Sequence, residues 1–363
     1  MNITFFIGNG FDLNLGLKTR YQDFYKYFHE HGTSNNMIKE WINEKEKLWS
    51  DLEEALGRSL SNIGEDNLDK FYEDKDEMDD LLIEYLKKEQ EKYDYDDEDI
   101  KKQLINSVDD FDENLPREEK EFIKKRKETY GSSSIVYNFV SFNYTNCIDM
   151  MVDIQKKDSS VINTHTYGNN SYSTSSILGQ VYHIHGTVNE EMILGVNDES
   201  QINNEFLKTH EEFCDGFIKM HMNKLIGQQK TEEVKNLISS SRIICLFGIS
   251  IGATDKIWWE EIVNWLLHDS GNLLIIFWKD YEHLNDNKLP AKTIRNNNRI
   301  KNRFLEIGQG KFTEEELKSA KERIFVKFND EDMFNFPKYR GDKQYSNELF
   351  TLRLDKKRKN NYY

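Results

Sequence analysis

The stretch I-T-F-F-I-G-N-G-F-D-L-N-L-G-L, residues 3–17, decides the fold. Its first five residues, Ile3–Ile7, form an apolar run that is typical of strands buried on both faces of a parallel sheet. The run passes directly into Gly8-Asn9-Gly10. A Gly-x-Gly turn after a first strand lets the backbone approach phosphate oxygens at the start of a helix. The stretch therefore predicts either a nucleotide loop or, since it lacks the full G-x-G-x-x-G pattern, a bare turn.

Further apolar runs resemble this first strand and alternate with helical segments such as Asn204–Ile226. Strands that alternate with helices favour an α/β fold with a mostly parallel, Rossmann-like sheet and helices on both faces. Gly168–Gly179 and Gly195–Gln201 are rich in Gly, Ser and Asn, which predicts loops. The further strands are predicted at Ile135–Phe142, Val181–Ile184, Arg242–Phe247, Leu273–Trp278 and Ile324–Phe328.

The charge of the chain is concentrated in one segment. The 363 residues carry a net charge of -16, and residues 51–130, with 28 Asp+Glu and 14 Lys+Arg, account for -14 of it. We expect a single α/β domain over 1–363 that contains an acidic helical insertion at 60–130, which serves either as a solvated surface or as a partner-binding surface. No basic face suits nucleic acid, and the basic run at 356–359 is interpreted as a solvated terminus.

Cysteine content and hydropathy bound the class of protein. The three cysteines are widely spaced without a C-x-x-C pair, which excludes a disulfide framework and a four-thiolate zinc site. No apolar run approaches the roughly 18 residues of a membrane span, and the N-terminus lacks the features of a signal peptide. We therefore expect a cytoplasmic protein without a membrane partner.

Two motifs follow the predicted second and third strands. Asn143, in S-F-N-Y-T-N at 141–146, could hold a ribose hydroxyl or a water, or could simply bond its own turn. In H-I-H-G at 183–186, His185 stands at the strand end and suits a general base, whereas His183 is expected to be a hydrogen-bonded structural residue. Two histidines on one strand face also allow a metal, but the sequence offers no obvious third ligand.

A fourth motif, G-I-S-I-G-A-T-D at 248–255, also follows a predicted strand. Gly248 and Ser250 could contact phosphate or ribose, while Asp255 is either part of that pocket or only a helix cap. Because parallel strands bring such ends to one edge, we expect the four motifs to converge on one crevice. The set has no paired carboxylates and no metal cluster, which favours a reaction at the sugar of a nucleotide with a single base.

In their order along the chain, the motifs resemble the bacteriophage abortive-infection AbiH family. The resemblance runs from residue 1 to about 280 and implies a role in phage defence. It rests on I-G-N-G-F-D-L-N-L-G-L at 7–17, W-S-D-L-E at 49–53, S-F-N-Y-T-N, H-I-H-G, I-L-G-V-N-D at 193–198 and G-I-S-I-G-A-T-D.

The motifs are also similar, more distantly, to the sirtuin-like NAD-binding fold of bacterial defence NADases. That pattern has Gly-x-Gly-x-Ser, Gly-(Leu/Ile)-Pro, Thr-Thr-Asn-Tyr-Asp, His-Gly and Gly-Tyr-Ser-x-x-Asp. The present chain has Asp12 in place of the Ser, Lys18 in place of the Pro and Thr145 in place of the Asp. Two extra residues separate Ser250 from Asp255.

This second resemblance implies that NAD is bound as the substrate and hydrolysed to nicotinamide and ADP-ribose. Asn143 and His185 would then be catalytic. The residues implied to bind NAD are Gly8, Asn9, Gly10, Asp12, Gly248, Ser250 and Asp255. The four cysteines of the sirtuin deacylase zinc module are absent, so protein deacylation is not expected, and no metal is expected either.

Two alternatives remain open. The chain could be a non-catalytic sensor of a nucleotide or ADP-ribose, which needs the glycine loops but not His185. It could also be a nuclease toxin, against which the acidic balance argues. Besides the nucleotide, the expected partners are a second copy of the chain or a phage-derived trigger.

Overall fold

A computed structural model describes residues 1–44, 51–129, 134–167, 172–226, 230–279, 290–308 and 311–339. Trp49 and Ser50 of the W-S-D-L-E motif and the basic run at 356–359 lie outside these residues.

Seven strands in the described residues form one sheet in the order β3-β4-β2-β1-β5-β6-β7. Every pairing is parallel except that of β3 with β4. The predicted α/β, Rossmann-like, mostly parallel fold is thus confirmed. The strands are β1 (Asn2–Ile7), β2 (Ile135–Ser141), β3 (Val161–Tyr167), β4 (Tyr172–His183), β5 (Ser241–Phe247), β6 (Leu273–Trp278) and β7 (Ile324–Phe328).

Helices cover both faces of this sheet. Ile3, Phe5 and Ile7 of β1 pack with residues of α6 and α8 on one face, while Phe6 packs with α12, α13 and α14 on the other. No helix in the described ranges combines the length and the apolar character that crossing a membrane requires. The helices are α1 (Gly10–Asn14), α2 (Tyr21–His31), α3 (Met37–Glu44), α4 (Leu52–Ser59), α5 (Leu68–Gln90), α6 (Glu98–Asp109), α7 (Arg117–Thr129), α8 (Cys147–Asp158), α9 (Glu205–Lys208), α10 (Glu211–Phe217), α11 (Lys219–Leu225), α12 (Lys230–Ser240), α13 (Lys256–His268), α14 (Pro290–Leu305) and α15 (Glu314–Lys321).

The strand register places the functional motifs at one edge. Ile7 of β1 pairs with Ser141 of β2 and with Phe247 of β5, so the loops that follow these strands start side by side. The chain builds the β2 side of the sheet first and then crosses to β5, so the order of strands reverses between β1 and β5. Ligands of open α/β sheets bind outside the carboxyl ends of the strands at such a reversal.

The described part of the acidic segment, 60–129, contains α5, α6 and α7 and lies between β1 and β2. Its apolar residues are buried in two different places: Phe71 and Met78 of α5 pack with α2, whereas Leu104 and Val108 of α6 pack against the sheet. Part of the segment therefore covers the sheet itself. It stays a prediction that this segment binds a partner. The assignment of 1–363 to a single domain also stays a prediction.

Two local predictions are wrong. The predicted loop Gly168–Gly179 contains the start of β4, which pairs with the unpredicted strand β3; the exposed, polar β3 (V-I-N-T-H-T-Y) lacks an apolar strand pattern. The predicted helix Asn204–Ile226 is divided into α9, α10 and α11. Asn204 caps the start of α9, His210 caps a new start at α10, and Ile218 is extended because it pairs with Val196.

Candidate functional site

The glycines of the first and fourth motifs are required by contact between two backbones. Gly10 N–H donates to the Gly248 carbonyl oxygen at 2.9 Å. A Cβ at Gly10 would lie 2.5 Å from Gly248 Cα, and Gly248 itself has φ +65°. The loop after β1 therefore packs directly on the loop after β5, and this packing leaves no room for a side chain on either glycine.

Most donors of the predicted phosphate loop are already engaged. The N–H groups of Gly8 and Phe11 donate to the carbonyl oxygens of Phe247 and Gly8. The Asn9 side chain bonds Thr19, and α1 spans only five residues. A pyrophosphate at this loop would thus depend on neighbouring side chains for most of its contacts. Binding of NAD by Gly8, Asn9 and Gly10 stays a prediction.

Asp12 joins the first two motifs. The Asn143 amide donates to Asp12 Oδ1 (3.0 Å) and to the Gly8 carbonyl oxygen (3.2 Å), and the Thr145 hydroxyl donates to Asp12 Oδ2 (2.6 Å). Burial raises the pKa of Asp12 to about 6, against the hydrogen bonds from Thr145 and Asn143 that lower it. Asp12 and Asn143 lie at the expected edge, and their polar atoms hold the two loops together. Direct contact of either residue with NAD stays a prediction.

The two departures from the sirtuin-like pattern at positions 12 and 145 are reciprocal. The pattern has a hydroxyl at the first position and a carboxylate at the second, whereas this chain has Asp12 and Thr145. These two side chains bond each other. The junction of the two loops therefore contains one hydroxyl and one carboxylate that bond each other.

His183 is hydrogen-bonded at both ring nitrogens, as predicted. Nδ1 faces the Asn143 carbonyl oxygen at 2.9 Å, and Nε2 faces Asp149 Oδ2 at 2.6 Å. Both nitrogens are engaged, so this ring positions the loop after β2.

His185, two residues beyond β4, has only one of its two ring nitrogens hydrogen-bonded within the described residues. Its Nε2 lies 2.7 Å from Asp255 Oδ1, while its buried Nδ1 has no hydrogen-bond partner among the described residues. Gly186 at φ +66° turns the chain, so that Ile193 N–H donates to the His185 carbonyl oxygen at 2.8 Å. The backbone of His185 is thus fixed, and one buried ring nitrogen has no hydrogen-bond partner among the described residues.

The Asp255 carboxylate belongs to a buried ionic network that the sequence did not reveal. Lys219 Nζ lies 3.2 Å from Asp255 Oδ1 and 2.7 Å from Glu53 Oε2, and the Tyr144 hydroxyl donates to Glu53 Oε1 at 2.8 Å. The prediction that the site lacks paired carboxylates is therefore wrong, because one ammonium bridges two of them. Asp255 occupies the N-cap position of α13, as the helix-cap interpretation expects, but its side chain makes no capping hydrogen bond and contacts His185 and Lys219 instead.

The contacts among Asp255, Lys219 and Glu53 shift the pKa values of all three side chains. Burial alone would raise the pKa of Asp255, but the Lys219 ammonium and His185 hold that pKa well below its usual value. Burial would lower the pKa of Lys219, but the Asp255 and Glu53 carboxylates raise it. Burial raises the pKa of Glu53 despite the nearby Lys219. Asp255 and Lys219 therefore form an ionised pair beside His185.

Glu53 and Lys219 escaped prediction because neither follows a strand. Glu53 lies in W-S-D-L-E, a motif with a visible pattern but no evident chemistry. The sequence signal that could have indicated Lys219 is the motif I-L-G-V-N-D at 193–198. The backbone of Val196 in this motif hydrogen-bonds Phe217 and Lys219. Gly195 permits this close approach, because a Cβ there would lie 2.2 Å from the Phe217 carbonyl oxygen. This motif therefore sets the position of Lys219.

A cavity of about 780 Å³ opens at the carboxyl ends of β1, β5, β6 and β7. Of the predicted binding residues it is lined by Asn9, Gly10, Gly248 and Ser250, and His185 is not among its lining residues. The converging motifs thus supply two neighbouring features, the cavity and the His185 network, which meet at the loop after β5. No cluster of three metal-ligating side chains occurs in the part of the chain that the structure describes.

The sequence profile of the family described as bacteriophage abortive infection AbiH matches residues 4–277. Among curated proteins no relative matches significantly. The matched region contains β2 to β5, most of β1 and β6 and every residue of the His185 network. The chain therefore belongs to the AbiH family.

Proposed function

We propose that this protein binds NAD at the carboxyl edge of its sheet and hydrolyses the nicotinamide–ribose bond during phage abortive infection. Membership of the AbiH family supports the defence role. The observation that carries the hydrolysis is the buried His185 ring, with Asp255 on Nε2 and no partner on Nδ1 among the described residues.

The His185–Asp255 pair has the geometry of a general base and its orienting group. With Nε2–H donated to Asp255, Nδ1 carries a lone pair that accepts a proton from water. The water oxygen then bonds to the ribose C1′ as the bond to nicotinamide breaks, and nicotinamide leaves with the bonding electrons as a neutral molecule. The ionised Asp255 stabilises the imidazolium that forms, as in other His–Asp pairs.

The charge of the network also suits this reaction. Glu53 and Asp255 face a single Lys219 ammonium. With both carboxylates ionised, the network carries one net negative charge in surroundings where all three side chains are at most 18% exposed. A buried negative charge favours the positive charge that develops on the ribose as its glycosidic bond breaks.

Measurement of nicotinamide release tests the proposal. Purified protein and phage-infected cells expressing it should convert NAD to nicotinamide and ADP-ribose, and His185→Gln should lower the rate at least about 100-fold. His221→Gln is the matched control, because His221 forms an exposed pair with Asp215 at 3.1 Å. Equal NAD loss with His185→Gln and the control, or no NAD loss in infected cells that the protein protects, contradicts the proposal.

A second candidate function, a nucleotide sensor without catalysis, is favoured by the separation of the cavity lining from His185. A sensor would bind ADP-ribose and gain thermal stability without releasing nicotinamide. Under this alternative, His185→Gln would leave protection against phage intact if the variant remains folded.

A further inference from the structure

The cavity is completed by chain segments beyond the family-matched residues 4–277. Trp278 at the end of β6, Arg303 on α14 and the segment 329–338 after β7 all line it. That segment is attached to the first motif, because Tyr339 N–H donates to the Leu15 carbonyl oxygen at 2.7 Å and the Asn14 amide donates to the Phe334 carbonyl oxygen at 3.1 Å. The family region thus lines one part of the cavity, and the later segments form the rest of its wall.

The cavity rim carries an excess of positive charge in a chain whose net charge is -16. Arg20, Lys279, Arg303 and Lys338 line it and are exposed, and none of them forms an ion pair within the described ranges. Of the two acidic lining residues, Asp330 already accepts hydrogen bonds from backbone N–H groups. Such an excess of unpaired cations favours an anionic ligand.

An aromatic surface lies within the same wall. The Arg303 guanidinium lies 5.4 Å from the centroid of the Trp278 ring, which holds the charge next to the ring. Nucleobases stack on tryptophan rings and on arginine planes. The volume of about 780 Å³ falls within the roughly 300–1,000 Å³ range of small-molecule sites.

From these features we infer that the cavity binds the adenosine diphosphate half of NAD, with phosphates on Arg20 and Arg303 and the base on Trp278. The inference rests on the proposed function and adds to it the part of the protein that recognises the ligand. Phosphate contacts come from side chains of the rim, which agrees with the engagement of the Gly8 and Gly10 N–H groups by backbone carbonyls.

Titration calorimetry of the full-length protein with ADP-ribose tests the inference. Arg303→Glu should weaken binding at least about tenfold, as expected for the loss of a charge-assisted contact and the gain of a like charge. Arg295→Glu is the matched control: Arg295 is exposed on the same helix, undergoes the same charge change and does not line the cavity. Trp278→Ala should weaken ADP-ribose about tenfold and leave ribose 5-phosphate unchanged.

Equal affinity for ADP-ribose in Arg303→Glu and Arg295→Glu overturns the inference, even if NAD is hydrolysed. Equal weakening of ADP-ribose and ribose 5-phosphate by Trp278→Ala overturns the assignment of the base. Conversely, a selective loss of ADP-ribose affinity in Arg303→Glu, in a protein that releases no nicotinamide, supports the inference while the proposed hydrolysis fails.

Discussion

Replacement of Asp12 by Asn should change how the stability of the protein depends on pH. The Asp12 carboxyl is buried between Asn143 and Thr145, and burial raises its pKa from 3.8 to about 6. The unfolded chain therefore releases this proton more readily than the folded protein. The stability that Asp12 contributes is present in full below pH 3.8 and is lost as the pH rises through 6.

The magnitude follows from the two pKa values. Over the whole range the loss is about 3 kcal/mol at 1.36 kcal/mol per pKa unit, and between pH 5 and pH 7 it is about 1.3 kcal/mol. In the variant, the amide that replaces the carboxyl has no proton to release but can still accept from Asn143. The free energy of unfolding of the wild type, relative to Asp12→Asn, should therefore fall by about 1.3 kcal/mol from pH 5 to pH 7.

Urea denaturation at the two pH values measures this difference. Asp109→Asn is a control with another buried carboxylate. Burial alone would raise the pKa of Asp109, but hydrogen bonds from His165, Asn163 and Ser176 lower it to about 2. The stability that this carboxyl contributes through its own titration is lost as the pH falls from 3.8 through 2, so that titration adds no dependence on pH between pH 5 and pH 7. A wild-type advantage over Asp12→Asn that is constant or grows with pH refutes the argument.

The other stability predictions concern the two loops and the ionic network. In thermal melts, Gly10→Ala should lower the free energy of unfolding by about 2 kcal/mol or more, because the new Cβ would lie 2.5 Å from the backbone of Gly248. Gly252→Ala is the control and should be nearly neutral, because its Cβ would have no neighbour closer than 3.7 Å. Lys219→Met should cost about 3–5 kcal/mol in urea denaturation, because Glu53 and Asp255 lose their shared ammonium. Addition of Glu53→Gln should restore part of that loss, and a double variant less stable than Lys219→Met would contradict the electrostatic explanation.

The sequence predicts strands correctly where an apolar run coincides with burial of the strand on both faces of the sheet. Ile3–Ile7 is apolar at nearly every position because β1 lies at the centre of the sheet and is buried on both faces. Strand β3 was missed because it is an antiparallel edge strand of mostly polar residues without the apolar pattern of the buried strands. The break between α10 and α11 was missed because it depends on a tertiary pairing of Ile218 with Val196.

The candidate site was predictable only in part for a similar reason. His185 and Asp255 both follow strands, so the expectation that site residues lie beyond the carboxyl ends of strands included both. Glu53 and Lys219 come from helices 166 positions apart, and only the folded chain brings them to one ion pair. The sequence pattern also favoured a phosphate role for Gly10, whereas the structure adds a steric requirement at that position.

The buried hydrogen bond between the Thr145 hydroxyl and the Asp12 carboxylate has an evolutionary consequence. Replacing only Thr145 by Asp would place two carboxyl groups next to each other in a buried space, and replacing only Asp12 by Ser or Thr would place two hydroxyls there. Substitutions at positions 12 and 145 should therefore occur together during evolution. AbiH relatives with Ser or Thr at position 12 should then carry Asp at position 145.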